Sequence, residues 1–370
     1  MVIGVTALGL VFSLAAAGGQ PVAQDFDRLF ARALELQQAG DLLGAVDNYK
    51  AALLVAPDRA DALSNLGAAY VRLGQYDDGI KQYEAALKID PASAAARLNL
   101  ALAYYKSGRP REAITQLKRV ISADADLTAA YLVLADCYLQ TGQEQEVISL
   151  LKPRDGQFGR DLAYAYLLGT ALLRQNRADE GQQQIDRIFG AGESAEAHLL
   201  TALAVLGQKD YPAARTELER ALKLNPRLPT AHALYGRALL AAGEQAAAER
   251  ALRQELELNV NDFEANLQLG NIRKGEERFD EASRYLERAA MIRPNDITAR
   301  RLLATVRLQT GKTEEAVAMF ETIVKEAPDL VEAHVQLATG YNRLKRVDDA
   351  NREREIIERL NKDAQAKREK

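Results

Sequence analysis

The chain has 370 residues, 48% of them hydrophobic and 27% charged, a balance too apolar for wholesale disorder and sufficient for a sizeable core. Lys and Arg number 48 against 52 Asp and Glu, and a net charge of -4 supplies no basic footprint of the kind that phosphate binding needs, which argues against nucleic acid as a partner. Ten prolines are scattered without a Pro/Ser/Gly-rich stretch, so composition marks no linker between separate domains.

The first segment, MVIGVTALGLVFSLAAAGG, carries no charged side chain; the first is Asp25. Residues 1–23 therefore read as an export signal or an N-terminal membrane anchor. Ala15 and Ala17 suit a processing site, and Gly18, Gly19 and Pro21 stop a helix where a cleavable segment would end. The missing Lys or Arg ahead of the run, and a length near the roughly 20 residues of a bilayer span, suit an uncleaved anchor instead. Either way the body of the protein is expected to be exported, periplasmic or extracellular, or anchored to the membrane by this segment.

From Phe26 onward a fixed period sets in. Pro57 and Pro91 lie 34 residues apart, as do Pro294 and Pro328, and Pro226 precedes Pro294 by 68. Pro91 and Pro226 are separated by 135, one short of four periods, and the phases of Gly169 and Ala202 put the missing residue near Gly190 to Ser194. Ten repeats result, starting near 26, 60, 94, 128, 162, 195, 229, 263, 297 and 331; they cover 26–364 and end in a polar capping helix that runs to 370. Each reads as a helical hairpin. In the second, Leu63, Leu66, Gly67 and Tyr70 recur at helical spacing, Gly74 breaks the helix, and Tyr83 and Ala86 share one face of a second helix that Pro91 ends. A small residue returns in each at one place, as Gly67, Ala101, Ala135, Gly169, Ala202, Gly236, Gly270, Ala304 and Ala338, where paired helices must approach closely.

This spacing resembles the tetratricopeptide repeat, whose motif is an aromatic or large residue, Leu-Gly, Tyr, then Ala, an aromatic and Pro. The resemblance implies an all-α fold, a right-handed superhelical solenoid of about ten stacked helix-turn-helix hairpins, with first helices lining a concave face. There are departures. The chain has no tryptophan, so Leu63, Tyr131 or His232 takes the first aromatic place, and LKPRDGQFGRD shortens the second helix of the fourth repeat. The first repeat has Arg32 and Ala33 where Leu-Gly belongs, and the last has Arg354 for its second aromatic; both suit end caps with a polar outer face.

Catalytic chemistry finds no foothold. The chain holds no Gly-rich phosphate loop, no HExxH and no GxSxG. His198, His232 and His334 all occupy one packing place of the repeat, and even His198 and His232, on neighbouring hairpins, sit on helices about 8–10 Å apart, whereas zinc needs ring nitrogens at about 2.0–2.1 Å. Cys137 is the sole cysteine and sits in a helical stretch, as a small buried hydrophobe would. The expectation is a protein without catalytic residues, metal or cofactor.

What the resemblance offers instead is a groove. Pointing inward from the first helices of the third to sixth repeats are Leu98, Leu102, Tyr105, Leu132, Leu139, Tyr166, Leu173, Leu199, Leu203 and Leu206, an apolar trough. Four repeats span on the order of 40 Å, room for about a dozen residues of extended peptide. Asn65 and Asn99 stand where some family members carry an asparagine ladder for peptide backbone, but Val133, Leu167 and Leu200 end it after two repeats. Further on, Arg237, Asn271, Lys274, Arg301 and Arg343 make the face more basic, suited to an acidic segment or a terminal carboxylate. The expected function is a non-enzymatic scaffold binding a peptide or partner protein along this groove, touching membrane only through the N-terminal segment where that is uncleaved. The alternative is a structural component of an envelope assembly that uses the outer face or end-to-end stacking. The pattern leaves the oligomeric state open.

Overall fold

A computed structural model describes residues 20–368. Most of the expected leader therefore lies outside the described residues. The described residues form helices and turns, with no strand among them. The first repeat pairs α1 (Gln20–Ala39) with α2 (Leu42–Val55), the second α3 (Ala60–Arg72) with α4 (Tyr76–Ile89), and the third α5 (Ala94–Lys106) with α6 (Pro110–Ala123). The fourth runs α7 (Thr128–Gln140), α8 (Glu144–Leu151) and a one-turn α9 (Asp155–Phe158). Next come α10 (Leu162–Arg174) with α11 (Ala178–Gly190), α12 (Ala195–Gly207) with α13 (Tyr211–Leu224), and α14 (Ala231–Ala241) with α15 (Gln245–Leu258). The last three hairpins are α16 (Phe263–Gly275) with α17 (Phe279–Ile292), α18 (Ile297–Gln309) with α19 (Thr313–Glu326), and α20 (Val331–Arg343) with α21 (Val347–Arg368).

The described residues divide into two compact bodies, one up to Leu134 and one from Ala135, with the division inside α7. In the first body, α1 to α3 enclose Ala33, Val46, Tyr49, Leu66 and Tyr70. In the second, each cluster draws on a hairpin and the first helix of the next: Leu199, Leu218 and Leu234 in one, Leu267, Leu286 and Leu303 in another, Leu308, Phe320 and Leu337 in a third. A buried leucine contributes roughly 1.5–3 kcal/mol, and here every hairpin shares that burial with a neighbour. The small residue makes the pairing close. A Cβ at Gly67 would come within 3.0 Å of the Tyr83 ring, and one at Gly270 within 2.6 Å of Leu286 Cγ, so second-helix side chains occupy the room the glycines leave.

Turn chemistry marks the register more sharply than the prolines do. Ten left-handed residues stand at one place of the repeat: Gly40, Gly74, Gly108, Gly142, Asn176, Lys209, Gly243, Glu277, Gly311 and Lys345. In the second repeat the Gln75 N–H donates to Tyr70 O at 2.9 Å across this residue, closing the helix end as a left-handed cap does. The spacing is 34 except between Asn176 and Lys209, where it is 33, and α11 is 13 residues long where α4 and α13 have 14. The deleted residue thus comes out of the end of α11 and the turn behind it.

Two places depart from the regular hairpin. In the fourth repeat Pro153, which has no N–H to donate and clashes with the preceding turn, ends α8 after eight residues. The chain recovers its core through Phe158, which is buried and meets the Tyr164 ring edge-on at 6.4 Å. In the seventh, the first helix starts at Ala231 rather than Pro229, because Thr230 is left-handed (φ 67°) and gives no side-chain cap. Glu255 of α15 caps it instead, accepting from the Thr230 N–H at 2.8 Å.

The four non-glycine residues in left-handed turns carry a backbone cost of about 1 kcal/mol each. Lys345→Gly should therefore raise stability by up to about 1 kcal/mol, and Gly311→Ala, whose new Cβ would meet nothing within 4 Å, should lower it by a similar amount. Urea denaturation followed by circular dichroism checks both; equal midpoints for the parent and Lys345→Gly would contradict the strain assignment.

Candidate interaction face

The first helices of the first body carry Asn65, Leu98, Asn99, Leu102, Tyr105 and Leu132, all half-buried. Asn65 turns its amide back to Asp61 O at 2.9 Å, on its own helix. Leu98 and Leu102 are one turn apart on α5, so an apolar strip with Asn99 beside it remains within reach of solvent.

In the second body the expected trough is largely core. Leu139, Leu173, Leu199 and Leu206 are at most 8% exposed and are no accessible ligand surface. The reason is packing between successive first helices: α10 lies against α12, which covers Leu199, while Leu206 joins the cluster with Leu218 and Leu234. Tyr166 and Leu203 stay half-buried at the edge of that same cluster.

Arginines staple the ends of the first helices. Arg72 donates to Gln37 O at 3.1 Å, Arg174 to Leu139 O at 3.2 Å, and Arg343 to Leu308 O, each reaching 35 residues back to the same place of the preceding repeat. A cation at a helix C-terminus answers both the free carbonyls and the helix dipole. Arg343 is thereby engaged with backbone. Arg237 pairs with Glu264 at 3.8 Å, and Asn271 is exposed.

Lys274 and Arg301 differ. They are half-buried on α16 and α18, which touch, and no ion pair holds either of them among the described residues. Burial, and then the charge of Arg301, hold the Lys274 ammonium below its usual range. A counter-charge placed between them would relieve that repulsion.

The histidines serve the turns. His232 and His334 put Nε2 2.9 and 3.1 Å from Pro226 O and Pro328 O, and Arg97 and Asn266 reach carbonyls six residues back in the same way. His198 and His334 also set Nδ1 2.6 Å from Glu217 and Glu353. Among the described residues no group of three or more His, Cys, Asp or Glu is placed to hold a metal ion, and no helix is long and apolar enough to cross a membrane. Cys137 is fully buried, and burial pushes its thiol up beyond the usual range.

Three residues that matter were not singled out in the sequence: Asp262, Phe263 and Arg293. Arg293 donates to Leu139 O at 3.0 Å and to Gln140 O at 3.3 Å, and its guanidinium lies 4.3 Å from the Phe263 ring centroid. A signal was present. The residue before the repeat's proline is small elsewhere, Ala56, Asp90, Asn225 or Ala327, and Arg293 before Pro294 is the long cation among them.

Stacked helical hairpins with a first-helix face define a helical-repeat protein. Profiles of the tetratricopeptide repeat match residues 58–126, 107–169 and 274–339, and 166–229 and 204–259, and a further TPR repeat profile matches 33–74. The chain belongs to the tetratricopeptide repeat family. Among solved structures it is similar to a chain in the crystal structure of the APC/C hetero-tetramer Cut9-Hcn1, with a TM-score of 0.59 at 16% identity, covering 92% of this chain and 75% of that one. At that identity the likeness concerns the fold. No curated protein sequence matches the chain. Repeat proteins of this family are generally non-catalytic, and the chain is a protein-interaction scaffold.

One acidic group behind Arg293, Asp262, titrates in an accessible range. Asp262 is buried, and burial, then the neighbouring Glu255, push its carboxyl up to about 7, although the Ala265 N–H at 2.8 Å and Arg174 pull the other way. The folded chain thus holds this proton more tightly than the unfolded one. Its contribution is fully present below the ordinary carboxyl pKa of 3.8 and is lost as pH rises through about 7, by about 1.4 kcal/mol for each pH unit between those values. Asp262→Asn keeps the helix cap and removes the titration. Relative to this variant, the parent should lose stability steadily between about pH 4 and 7 in urea titrations; parallel pH profiles would show that Asp262 is not the group responsible.

Proposed function

We propose that the chain is a non-enzymatic scaffold, exported or held at a membrane by its N-terminal segment, that receives a peptide or partner protein along its first-helix face, with an acidic group of the partner seated between Lys274 and Arg301. The observation that carries this is the pair itself. Most arginines nearby have an acid or a carbonyl: Arg237 has Glu264, Arg273 has Glu249 and Glu276, Arg300 has Glu326. Two half-buried cations on touching helices, with neither among the described residues, suit an anion, and a carboxylate is the group that peptides supply.

Half-buried Leu98, Leu102 and Tyr105 on α5 supply apolar contact for the same class of partner. A second reading, an envelope assembly joined through outer helices, draws on Leu43 and Leu54 of α2, which are 65% and 86% exposed. Leucines that open to water on one helix favour a covered surface in an assembly.

A peptide array with acidic and amidated C-termini tests the first reading. Acidic peptides should bind the parent and lose about tenfold or more with Lys274→Glu or Arg301→Glu, since each reversal replaces attraction by repulsion at one contact. Binding that is indifferent to both substitutions would remove the seat from the proposal. For the second reading, sedimentation of the parent beside Leu43→Glu and Leu54→Glu should show an assembly that only the parent forms.

A further inference from the structure

At the C-terminal end of α7 lies a seat built for a guanidinium, and the chain's own Arg293 fills it. The floor is a pair of carbonyls, Leu139 O at 3.0 Å from Nη2 and Gln140 O at 3.3 Å from Nε, at the negative end of the helix dipole. One wall is the Phe263 ring, 4.3 Å from the guanidinium carbon, which favours a cation over its face. The stem runs over Gly142, where a Cβ would come within 3.1 Å of Arg293 Cδ; the glycine leaves that passage clear. Glu144, Glu264 and Asp262 add negative charge around it.

Arg293 is a strained tenant of this seat. Burial, and then the like charge of Arg174, hold its guanidinium below the usual range. Arg174 donates to the same Leu139 carbonyl at 3.2 Å. Where the other staples reach 35 residues to an adjoining repeat, Arg293 joins residues 153 and 154 positions apart. Leu139, whose carbonyl is the floor, is 5% exposed, and Leu173 of the next repeat is 8% exposed.

We propose that the carbonyls of Leu139 and Gln140 with the Phe263 ring form a binding site for an arginine side chain of a partner segment, and that Arg293 occupies it as an internal stand-in until the partner displaces it. This rests on the reading that the first-helix face receives a partner, but it adds a cation site to the anion seat at Lys274 and Arg301. The two are separable, because Arg293 can be varied while both of those residues stay intact.

The experiment is chemical rescue. Arg293→Ala should leave the helical circular dichroism of the full chain intact, increase 8-anilinonaphthalene sulfonate fluorescence, and speed amide exchange in the 136–145 segment about tenfold or more. N-acetyl-arginine amide should reverse both changes saturably, and its neutral isostere N-acetyl-citrulline amide should not. Arg343→Ala, which removes a staple between adjoining repeats, should gain nothing from either compound. No change on removing Arg293, or a change that arginine amide leaves standing, or equal rescue by the citrulline compound, overturns the site. Should Arg293→Ala fail to fold, Arg293→Gln keeps the stem and carries the same test.

Discussion

Everything in this molecule depends on how closely two helices of one hairpin can approach. Gly67 and Gly270 abut side chains of the second helix at distances that a Cβ would violate, and the equivalent alanines Ala101, Ala202 and Ala304 are fully buried. That approach leaves an apolar surface on each hairpin which only the next one can cover, so stability is a sum of neighbour contacts rather than the property of one central core. A left-handed residue at one place in every repeat holds the geometry. Where it is not glycine, as at Lys209 and Lys345, the neighbours' packing overrules the local backbone preference.

Periodicity made the fold legible, because the small residue, the large residue and the proline recur together and a register is hard to counterfeit over ten turns. The phase slip was legible for the same reason: one residue lost from a strict period must be lost somewhere, and the short α11 is where. The shortened α8 followed from Pro153 alone. The start of α14 did not follow, since its cap comes from Glu255, which lies 25 residues on and stands where Ala86 and Ala221 sit in other repeats. A cap borrowed from another helix leaves no local mark.

The binding face was less legible than the fold, and the reason is physical. Inward-pointing places on a first helix serve two ends, contact with a ligand and contact with the adjoining first helix, and a leucine suits both. Leu199 and Leu206 went to packing, Leu98 and Leu102 remained half-open, and nothing in their immediate sequence separates the two fates. Charged residues discriminate better. An unpaired cation is costly in a half-buried place, so Lys274 and Arg301 stand out once the partners of Arg237 and Arg300 are known.

Glu255 and Asp262, buried, and Arg174 and Arg293, half-buried, lie at repeat ends of the second body, where backbone groups are left over. Glu255 takes the free N–H groups of α14, Asp262 those of α16, and Arg174 and Arg293 take the carbonyls that close α7. Each satisfies an orphan that a helix terminus must leave, so burial of these charges follows from hairpin geometry and would arise without any ligand. Arg293 goes one step further than geometry requires. Arg174 already serves the Leu139 carbonyl, as Arg72 and Arg343 serve theirs, and a second guanidinium at that acceptor adds like-charge repulsion to a terminus that one arginine satisfies elsewhere. A contact that exceeds what the repeat needs, and that loads the structure with charge to make it, is where selection for something other than folding would leave its trace.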